Sequence, residues 1–161
     1  NKQTYDNIAK KIYTKEDIFF LGRGIDYSLC MEASLKLKEI SYIHSEAYAA
    51  GELKHGTISL IEQNTPVIGL VTDKNLAKTI SNIKETKARG SFVVLVTLDS
   101  IYEDYKNDDF YDEIITLKDL NDFTSPLLAM TIFQLLSYEV AYLKGEEIDK
   151  PRNLAKSVTV E

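Results

Sequence analysis

Cysteine is nearly absent from this sequence of 161 residues, which contains only Cys30. A single thiol cannot close an intrachain disulfide or build a cysteine zinc site, and such a low cysteine content suits a protein of the reducing cytoplasm. Only two histidines are present, His44 and His55, and they do not have the spacing of metal ligands. The sequence therefore predicts a cytoplasmic protein with no metal and no other cofactor.

Positive charge is scarce as well. Lys and Arg number 19 against 25 Asp and Glu, the formal net charge is -6, and the basic residues are scattered rather than clustered. This distribution excludes the basic patch that a nucleic-acid partner requires. The sequence has no signal-like segment and no apolar run of membrane length, so a membrane partner is not expected either.

The chain does contain enough apolar residues for one core, with a hydrophobic content of 44%. Its length suffices for one domain but not for two ordinary ones. Four short runs are rich in β-branched and aromatic residues and are predicted as buried strands, at residues 17–22, 66–72, 92–97 and 113–117.

Helical patterns lie around these strands, most clearly at residues 26–43, 75–89 and 125–145. The last of them is predicted to begin with Ser125 as its cap and to stop at Gly145. Near-continuous apolar strands that alternate with helices indicate a parallel sheet covered on both faces. The predicted fold class is therefore an α/β doubly wound sandwich, in which ligands bind beyond the carboxyl ends of the strands.

The segment FLGRGIDYS, residues 20–28, joins the first predicted strand to the helix that follows. Two interpretations remain open. Backbone N–H groups at the helix start can receive a phosphate or a sugar hydroxyl, or the glycines only relieve the sterics of a tight turn. A dinucleotide fingerprint is excluded, because Tyr27 stands where G-x-G-x-x-G has its third glycine.

Three charged residues share one edge of the predicted helix 26–43. At about 100° per residue, Glu32, Lys36 and Glu39 fall within a narrow arc beside an apolar sector, whereas Lys38 points to solvent. One interpretation is a surface ladder of ion pairs on an unrelated α/β domain. The other is a general base, Glu39, whose pKa is tuned by burial and by Lys36, with Lys36 stabilising negative charge on a sugar oxygen.

Two further segments carry candidate groups. His55 lies in GELKHGT, a glycine-flanked loop where a side chain that titrates near neutrality can reach a ligand. His44 follows the helix in a more apolar setting and is interpreted as structural. The chain ends in DKPRNLAKSVTVE, whose apolar and β-prone residues predict a tail that docks and delivers Lys156 to a site.

Taken together, FLGRG, EASLKLKEISYIHSEAYAAGELKHG and DKPRNLAKSVTVE closely resemble, in the same order, the C-terminal part of the isomerising glutamine–fructose-6-phosphate aminotransferases. The resemblance implies a sugar isomerase (SIS) domain with a five-stranded parallel sheet, as a single domain over residues 1–161 with a catalytic tail at 146–161. It also implies a homodimeric enzyme that condenses fructose 6-phosphate with ammonia from glutamine and isomerises the product to glucosamine 6-phosphate.

The resemblance further implies roles for individual residues. Glu39 matches the base that shifts a proton between C1 and C2, and Lys36 matches its helix partner. His55 matches a histidine assigned to sugar ring opening and supplied by the neighbouring subunit. Lys156 matches a tail lysine that takes part in ring opening and forms an imine with the open-chain ketose, and Ala155 beside it contributes a backbone contact to the substrate.

The chain departs from the family pattern in two respects. It begins at Asn1 rather than with the cysteine nucleophile of the glutaminase half, and it has no S-x-S-G-x-T run, which holds the sugar phosphate in the family's first isomerase domain. We therefore expect a fragment of a longer enzyme that is nearly inactive alone. Its expected partners are the sugar phosphate, the missing glutaminase and first isomerase domains, and a second subunit. The alternative is a non-catalytic SIS module that binds sugar phosphates and regulates a partner.

Overall fold

The computed structural model describes residues 2–72, 76–122 and 124–154. A five-stranded parallel sheet, in the order β2-β1-β3-β4-β5, is covered by helices on both faces. The predicted fold class, an α/β doubly wound sandwich with a five-stranded parallel sheet, is confirmed. The elements follow along the chain as α1 (Lys2–Ile12), β1 (Asp17–Gly22), α2 (Ile25–Ser41), β2 (His44–Ala49), β3 (Pro66–Val71), α3 (Leu76–Lys87), β4 (Phe92–Leu98), α4 (Asp99–Tyr105), β5 (Glu113–Leu117) and α5 (Thr124–Lys144).

One face of the sheet is covered by α1, α2 and α5. Buried aliphatic side chains of these helices, such as Ile12 and Leu37, pack against the inward residues of the strands. Phe20 of β1 meets Phe133 of α5 edge to face, with ring centroids 5.8 Å apart. This is a favoured geometry for an aromatic pair, and it fixes α5 against the centre of the sheet.

The other face is covered by α3, α4 and two short 3₁₀ turns, Glu52–His55 and Thr57–Leu60. Ile83 of α3 and Ile101 of α4 belong to the same buried cluster as Phe19 of β1. Successive residues of a strand point to opposite faces, so Phe19 and Phe20 enter different layers. A strand covered on both faces must be apolar throughout, which explains the continuous run DIFFLG.

β2 is a strand that the residue pattern does not predict, because that pattern extends the preceding helix to residue 43. The helix in fact ends at Ser41. The prediction that His44 lies in an apolar setting is also wrong. The imidazole of His44 is exposed at the start of β2, where its Nδ1 contacts the carboxylate of Asp17 at the start of β1. β2 lies at the edge of the sheet, is mostly half-buried and has no β-branched residue, so it lacks the signature of a central strand.

α5 differs from the expectation that the chain contains no apolar run of membrane length. By length and composition it is long and apolar enough to cross a membrane, with a mean hydropathy of 1.3 in its most apolar window. Of that window, 44% is buried inside the protein, where Ile132, Phe133 and Leu136 pack on the sheet and on α2. A core helix of a three-layer sandwich has the same composition, so α5 is weak evidence for a membrane span.

The two ends of α5 agree only partly with the prediction. The helix begins at Thr124, so Ser125 lies inside the first turn instead of capping it, and its hydroxyl accepts the N–H of Leu120 at 2.9 Å. The predicted stop at Gly145 is confirmed. This glycine has φ +72°, and its N–H donates to the carbonyl of Tyr142 at 3.0 Å.

The direction of α2 decides where its charged residues lie. α2 starts after the carboxyl end of β1 and ends before the amino end of β2, which is parallel to β1. Its first turn therefore lies at the carboxyl edge of the sheet and its last turn at the amino edge. α5 follows β5 and also ends at the amino edge, so the last turn of α2 and the segment after α5 share one edge of the protein.

Candidate active site

The last turns of α2 carry the charged cluster that the helical spacing predicts. Lys36 Nζ lies 2.7 Å from Glu39 Oε2 and 3.6 Å from Glu32 Oε1. The side chains of Lys36 and Glu39 are 33% and 26% exposed, and that of Glu32 is 46% exposed. Glu39 is thus the more buried of the two carboxylates and the one in direct hydrogen-bonding contact with the ammonium group.

The ammonium group of Lys36 is held in its charged form. Its hydrogen bond to Glu39 is the largest cause that raises its pKa above the usual lysine value, and the charges of Glu39 and Glu32 act in the same direction. Partial burial opposes them. A fixed positive charge beside a partly shielded carboxylate is an arrangement that can stabilise negative charge developing on a substrate oxygen.

The packing of α2 fixes the direction of this cluster. Ala33 and Leu37 alternate with the charged residues along the helix and are fully buried in the core. Lys38 is exposed, as the spacing predicts. Leu37 is packed into the core. A rotation of α2 that turned Glu39 inward or outward would pull Leu37 out of this packing, so the orientation of Glu39 is fixed.

The segment after α5 reaches the same end of α2. The backbone N–H of Arg152 donates to the Tyr42 hydroxyl at 2.8 Å, and the Arg152 guanidinium carbon lies 4.0 Å from the centroid of the Tyr42 ring. Tyr42 directly follows the last residue of α2 and lies three residues beyond Glu39. Ala155 and Lys156, the tail residues singled out in the sequence, lie outside the described residues.

His55 is not brought together with Glu39 in one chain. It ends the 3₁₀ turn after β2 and is exposed at the carboxyl edge of the sheet, whereas Glu39 lies near the amino edge. The six residues of β2 separate the two edges by about 17 Å at 3.3 Å per residue. A site that uses both groups must therefore draw them from two different chains.

The first turn of α2 contains a buried carboxylate that the sequence pattern did not single out as a site. Asp26 is only 2% exposed, and its Oδ2 accepts the Thr72 N–H at 2.8 Å while its other oxygen accepts the Thr72 hydroxyl. These bonds join α2 to the residue that follows β3. A Cβ on Gly22 would come within 2.5 Å of the Asp26 backbone carbon, so glycine is required for this close approach. The geometry supports the steric interpretation of the glycine-containing turn.

Cys30 is placed where it has no access to a substrate. It is fully buried in the core, and this burial is the largest cause that raises the pKa of its thiol, with the Asp26 charge adding to it. A thiol that is buried and protonated is not a nucleophile at neutral pH. Cys30 is a core residue.

The protein is thus a parallel αβα sandwich with a partly exposed charged cluster near the end of its second helix. The chain belongs to the SIS domain family, whose model matches residues 11–144.

Its relatives narrow this class further. The chain is 54% identical over 156 residues to the glutamine–fructose-6-phosphate aminotransferase (isomerizing) of Clostridium tetani, covering 96% of this chain and 25% of the relative. It is 49% identical over 162 residues to the enzyme of that name from Caldanaerobacter subterraneus, covering 100% of this chain and 26% of the relative. The chain thus spans about a quarter of the length of these curated relatives.

A solved structure agrees with these sequences. The C-terminal domain of glucosamine-fructose-6-phosphate aminotransferase from Francisella tularensis superimposes with a TM-score of 0.86 at 41% identity. The match covers 92% of this chain and 42% of that one. The likeness to the C-terminal part of these aminotransferases, predicted from the motifs, is therefore confirmed.

Proposed function

We propose that this chain is the second isomerase domain of an isomerising glutamine–fructose-6-phosphate aminotransferase, spanning residues 1–161 with a catalytic tail at 146–161. The parent enzyme converts fructose 6-phosphate and glutamine-derived ammonia to glucosamine 6-phosphate. The observation that carries the proposal is the 2.7 Å contact between Lys36 and Glu39 on a partly exposed helix edge. Since the chain spans about a quarter of its relatives, the complete reaction belongs to the longer protein, and the chain alone is nearly inactive.

Glu39 acts as the base of the isomerisation. It takes a proton from C1 of the sugar imine and a proton returns to C2, so that the carbon bearing nitrogen becomes saturated and C1 becomes the aldehyde carbon. Lys36 stabilises the negative charge that builds on the sugar oxygen between these two transfers. The partial exposure of both side chains supports this assignment, because a substrate must be able to touch them.

The remaining roles involve the tail and a second subunit. Lys156 takes part in ring opening and forms an imine with C2 of the open-chain ketose, which releases water. Ammonia then adds to C2 and displaces the Lys156 amine, which leaves the ammonia-derived imine on which Glu39 acts. Ala155 contributes a backbone contact to the sugar. His55 assists ring opening in the site of the neighbouring subunit. The location of His55 at the edge opposite Glu39 supports a shared site, since one chain cannot supply both groups to one sugar.

The outer faces of α2 and α5 support the proposed assembly. They expose large apolar side chains, including Met31, Leu35, Leu127, Leu135, Tyr138 and Tyr142. Large apolar side chains exposed together on neighbouring helices are typical of a protein interface. We assign it to the first isomerase domain of the parent chain, because the Francisella structure contains more than twice the length that this chain covers. The parent is a cytoplasmic homodimer that also carries a glutaminase domain.

The test is Glu39→Gln in the full-length parent enzyme. The amide keeps the shape of the carboxylate but cannot take a proton, so we expect glucosamine 6-phosphate synthesis to fall by about 10²- to 10⁴-fold, with folding and glutamine hydrolysis retained. The matched control is Glu32→Gln, which removes the other carboxylate beside Lys36 at 3.6 Å and should lower synthesis only a few-fold. Near-wild-type synthesis by Glu39→Gln would remove Glu39 from the mechanism.

A further inference from the structure

Tyr42 has an unusual backbone conformation. It follows α2 with φ 57° and ψ 17°, in the left-handed region, and its N–H donates to the carbonyl of Lys38 at 3.2 Å. This position at a helix end normally favours glycine, because a bulky side chain is strained there. A tyrosine is retained in such a conformation when contacts of its side chain compensate the backbone strain, and glycine cannot make those contacts.

The side chain of Tyr42 binds the segment that follows α5. Arg152 contacts it twice, through a backbone N–H that donates to the hydroxyl at 2.8 Å and through a guanidinium group 4.0 Å from the ring centroid. The two residues are 110 positions apart in the sequence. Arg152 thus contacts both the ring and the hydroxyl of Tyr42. These two contacts together fix the position and the direction of the chain at Arg152.

We propose that Tyr42 and Arg152 form a tail clasp, a pair of positioning residues that holds the C-terminal tail beside Glu39. This inference rests on the proposed function for the identity of the group that is delivered, Lys156. Tyr42 lies three residues beyond Glu39, about 4.5 Å along the helix axis. The four residues from Arg152 to Lys156 span at most about 14 Å when fully extended.

The clasp therefore sets an upper limit on the distance between the tail lysine and the base. Without it, the nearest earlier hydrogen bond to α5 among the described residues is that of the Glu146 N–H to the Ala141 carbonyl, ten residues before Lys156 and about 35 Å away at full extension. Shortening the tether from ten residues to four raises the effective concentration of the amine near Glu39. Correct placement of a reacting group is worth large rate factors, so loss of the clasp should slow imine formation.

The experiment uses the full-length parent enzyme with Tyr42→Gly, Tyr42→Phe, Arg152→Ala and Arg152→Lys. Tyr42→Gly removes the ring and relieves the backbone, so we expect an unchanged or higher melting temperature with synthesis reduced about 10- to 100-fold. Arg152→Ala should reduce synthesis by a similar factor. Tyr42→Phe and Arg152→Lys each keep part of the clasp and should lie between these variants and wild type.

Three further readouts separate positioning from a general structural role. Glutamine hydrolysis should stay within about twofold of wild type in every variant, because the clasp touches only the sugar-processing domain. The double variant Tyr42→Gly/Arg152→Ala should be no slower than either single variant, since the two residues act as a unit.

Borohydride trapping of the fructose 6-phosphate imine at Lys156, measured by mass spectrometry, should slow in proportion to synthesis. Arg89→Ala, on the far layer, is the matched control and should leave all readouts unchanged.

The clasp is also tested without reference to activity. Under native conditions, trypsin should release the C-terminal peptide that begins at Asn153 faster from Tyr42→Gly than from wild type, because the bond after Arg152 is no longer held. Equal release rates, or wild-type synthesis by both Tyr42→Gly and Arg152→Ala, would overturn the proposal. Faster release from Tyr42→Gly combined with no synthesis by the wild-type parent would instead overturn the proposed function and leave the clasp standing.

Discussion

The two ends of α2 each present a carboxylate, but they use it in opposite ways. At the first turn, Asp26 is 2% exposed and is bound to the backbone and the hydroxyl of Thr72. At the last turns, Glu39 is 26% exposed and is bound to the side chain of Lys36. The buried carboxylate joins two elements of the fold, whereas the partly exposed one remains within reach of a ligand. Burial and choice of partner therefore distinguish a structural acid from a candidate base on the same helix.

The two ends of α2 also differ in their position relative to the usual ligand site of an open parallel sheet. With the order β2-β1-β3-β4-β5, the chain reverses direction across the sheet between β1 and β3, and ligands generally bind at the carboxyl ends of such strands. Here Asp26 and Thr72 are bound together at that point. The Lys36–Glu39 pair lies at the amino edge instead. The general rule for open sheets therefore does not point to the site that we propose.

The largest effect is expected from Lys156, the tail lysine that we propose as the imine-forming amine. Lys156→Ala in the parent enzyme removes the amine that forms the imine, and we expect synthesis to fall by about 10³-fold, or ~4 kcal/mol of barrier, with glutamine hydrolysis retained. Separate assays of glucosamine 6-phosphate formation and glutamate release measure this. Equal loss of both activities would indicate a folding defect rather than a role for Lys156 in sugar processing.

Asp26→Ala tests the structural end of the helix. The change removes two hydrogen bonds from the half-buried Thr72 to a buried carboxylate, and a hydrogen bond to a charged group contributes about 1.5–3 kcal/mol. We expect the free energy of unfolding to fall by about 3 kcal/mol, measured by urea denaturation of this chain. Glu39→Ala is the matched variant at the other end and should cost less than about 1 kcal/mol, because its ion pair is partly exposed. Equal losses would show that the two carboxylates have the same role.

Lys36→Met gives the smallest expected effect. Methionine keeps the apolar stem and removes the charge, so stability should change by less than about 0.5 kcal/mol. Synthesis by the parent enzyme should fall by about 10-fold, because the negative charge on the sugar oxygen loses its nearest cation. Urea denaturation and steady-state rates check the two parts. A variant with normal synthesis would reduce the Lys36–Glu39 contact to a surface ion pair.

Local periodicity was sufficient for most of the fold and for part of the site. The central strands are apolar on both faces, so a short window reveals them, and the spacing of Glu32, Lys36 and Glu39 places them on one edge of a helix. β2 escaped prediction because an edge strand with half-buried residues lacks that pattern. The seven-residue α4 was also missed, since it is too short to show a helical period.

The contacts that give meaning to the two ends of α2 could not be read from the sequence. Asp26 meets Thr72 across 46 positions, and Tyr42 meets Arg152 across 110. The residue pattern of one helix or one strand does not predict either pair. The partners come together only through the order of the strands in the sheet and the direction of α5. The motifs identified the family, but only the three-dimensional arrangement relates the tail to the end of α2.

The length of β2 has a consequence for how such an enzyme behaves in solution. Because β2 places His55 at the sheet edge opposite Glu39, with about 17 Å between the two edges, each polypeptide supplies one half of a centre that needs both groups. In the homodimer that we propose for the parent enzyme, dilution that separates the subunits would also separate the two halves of each centre. Specific activity would then depend on the concentration of the enzyme as well as on that of its substrates.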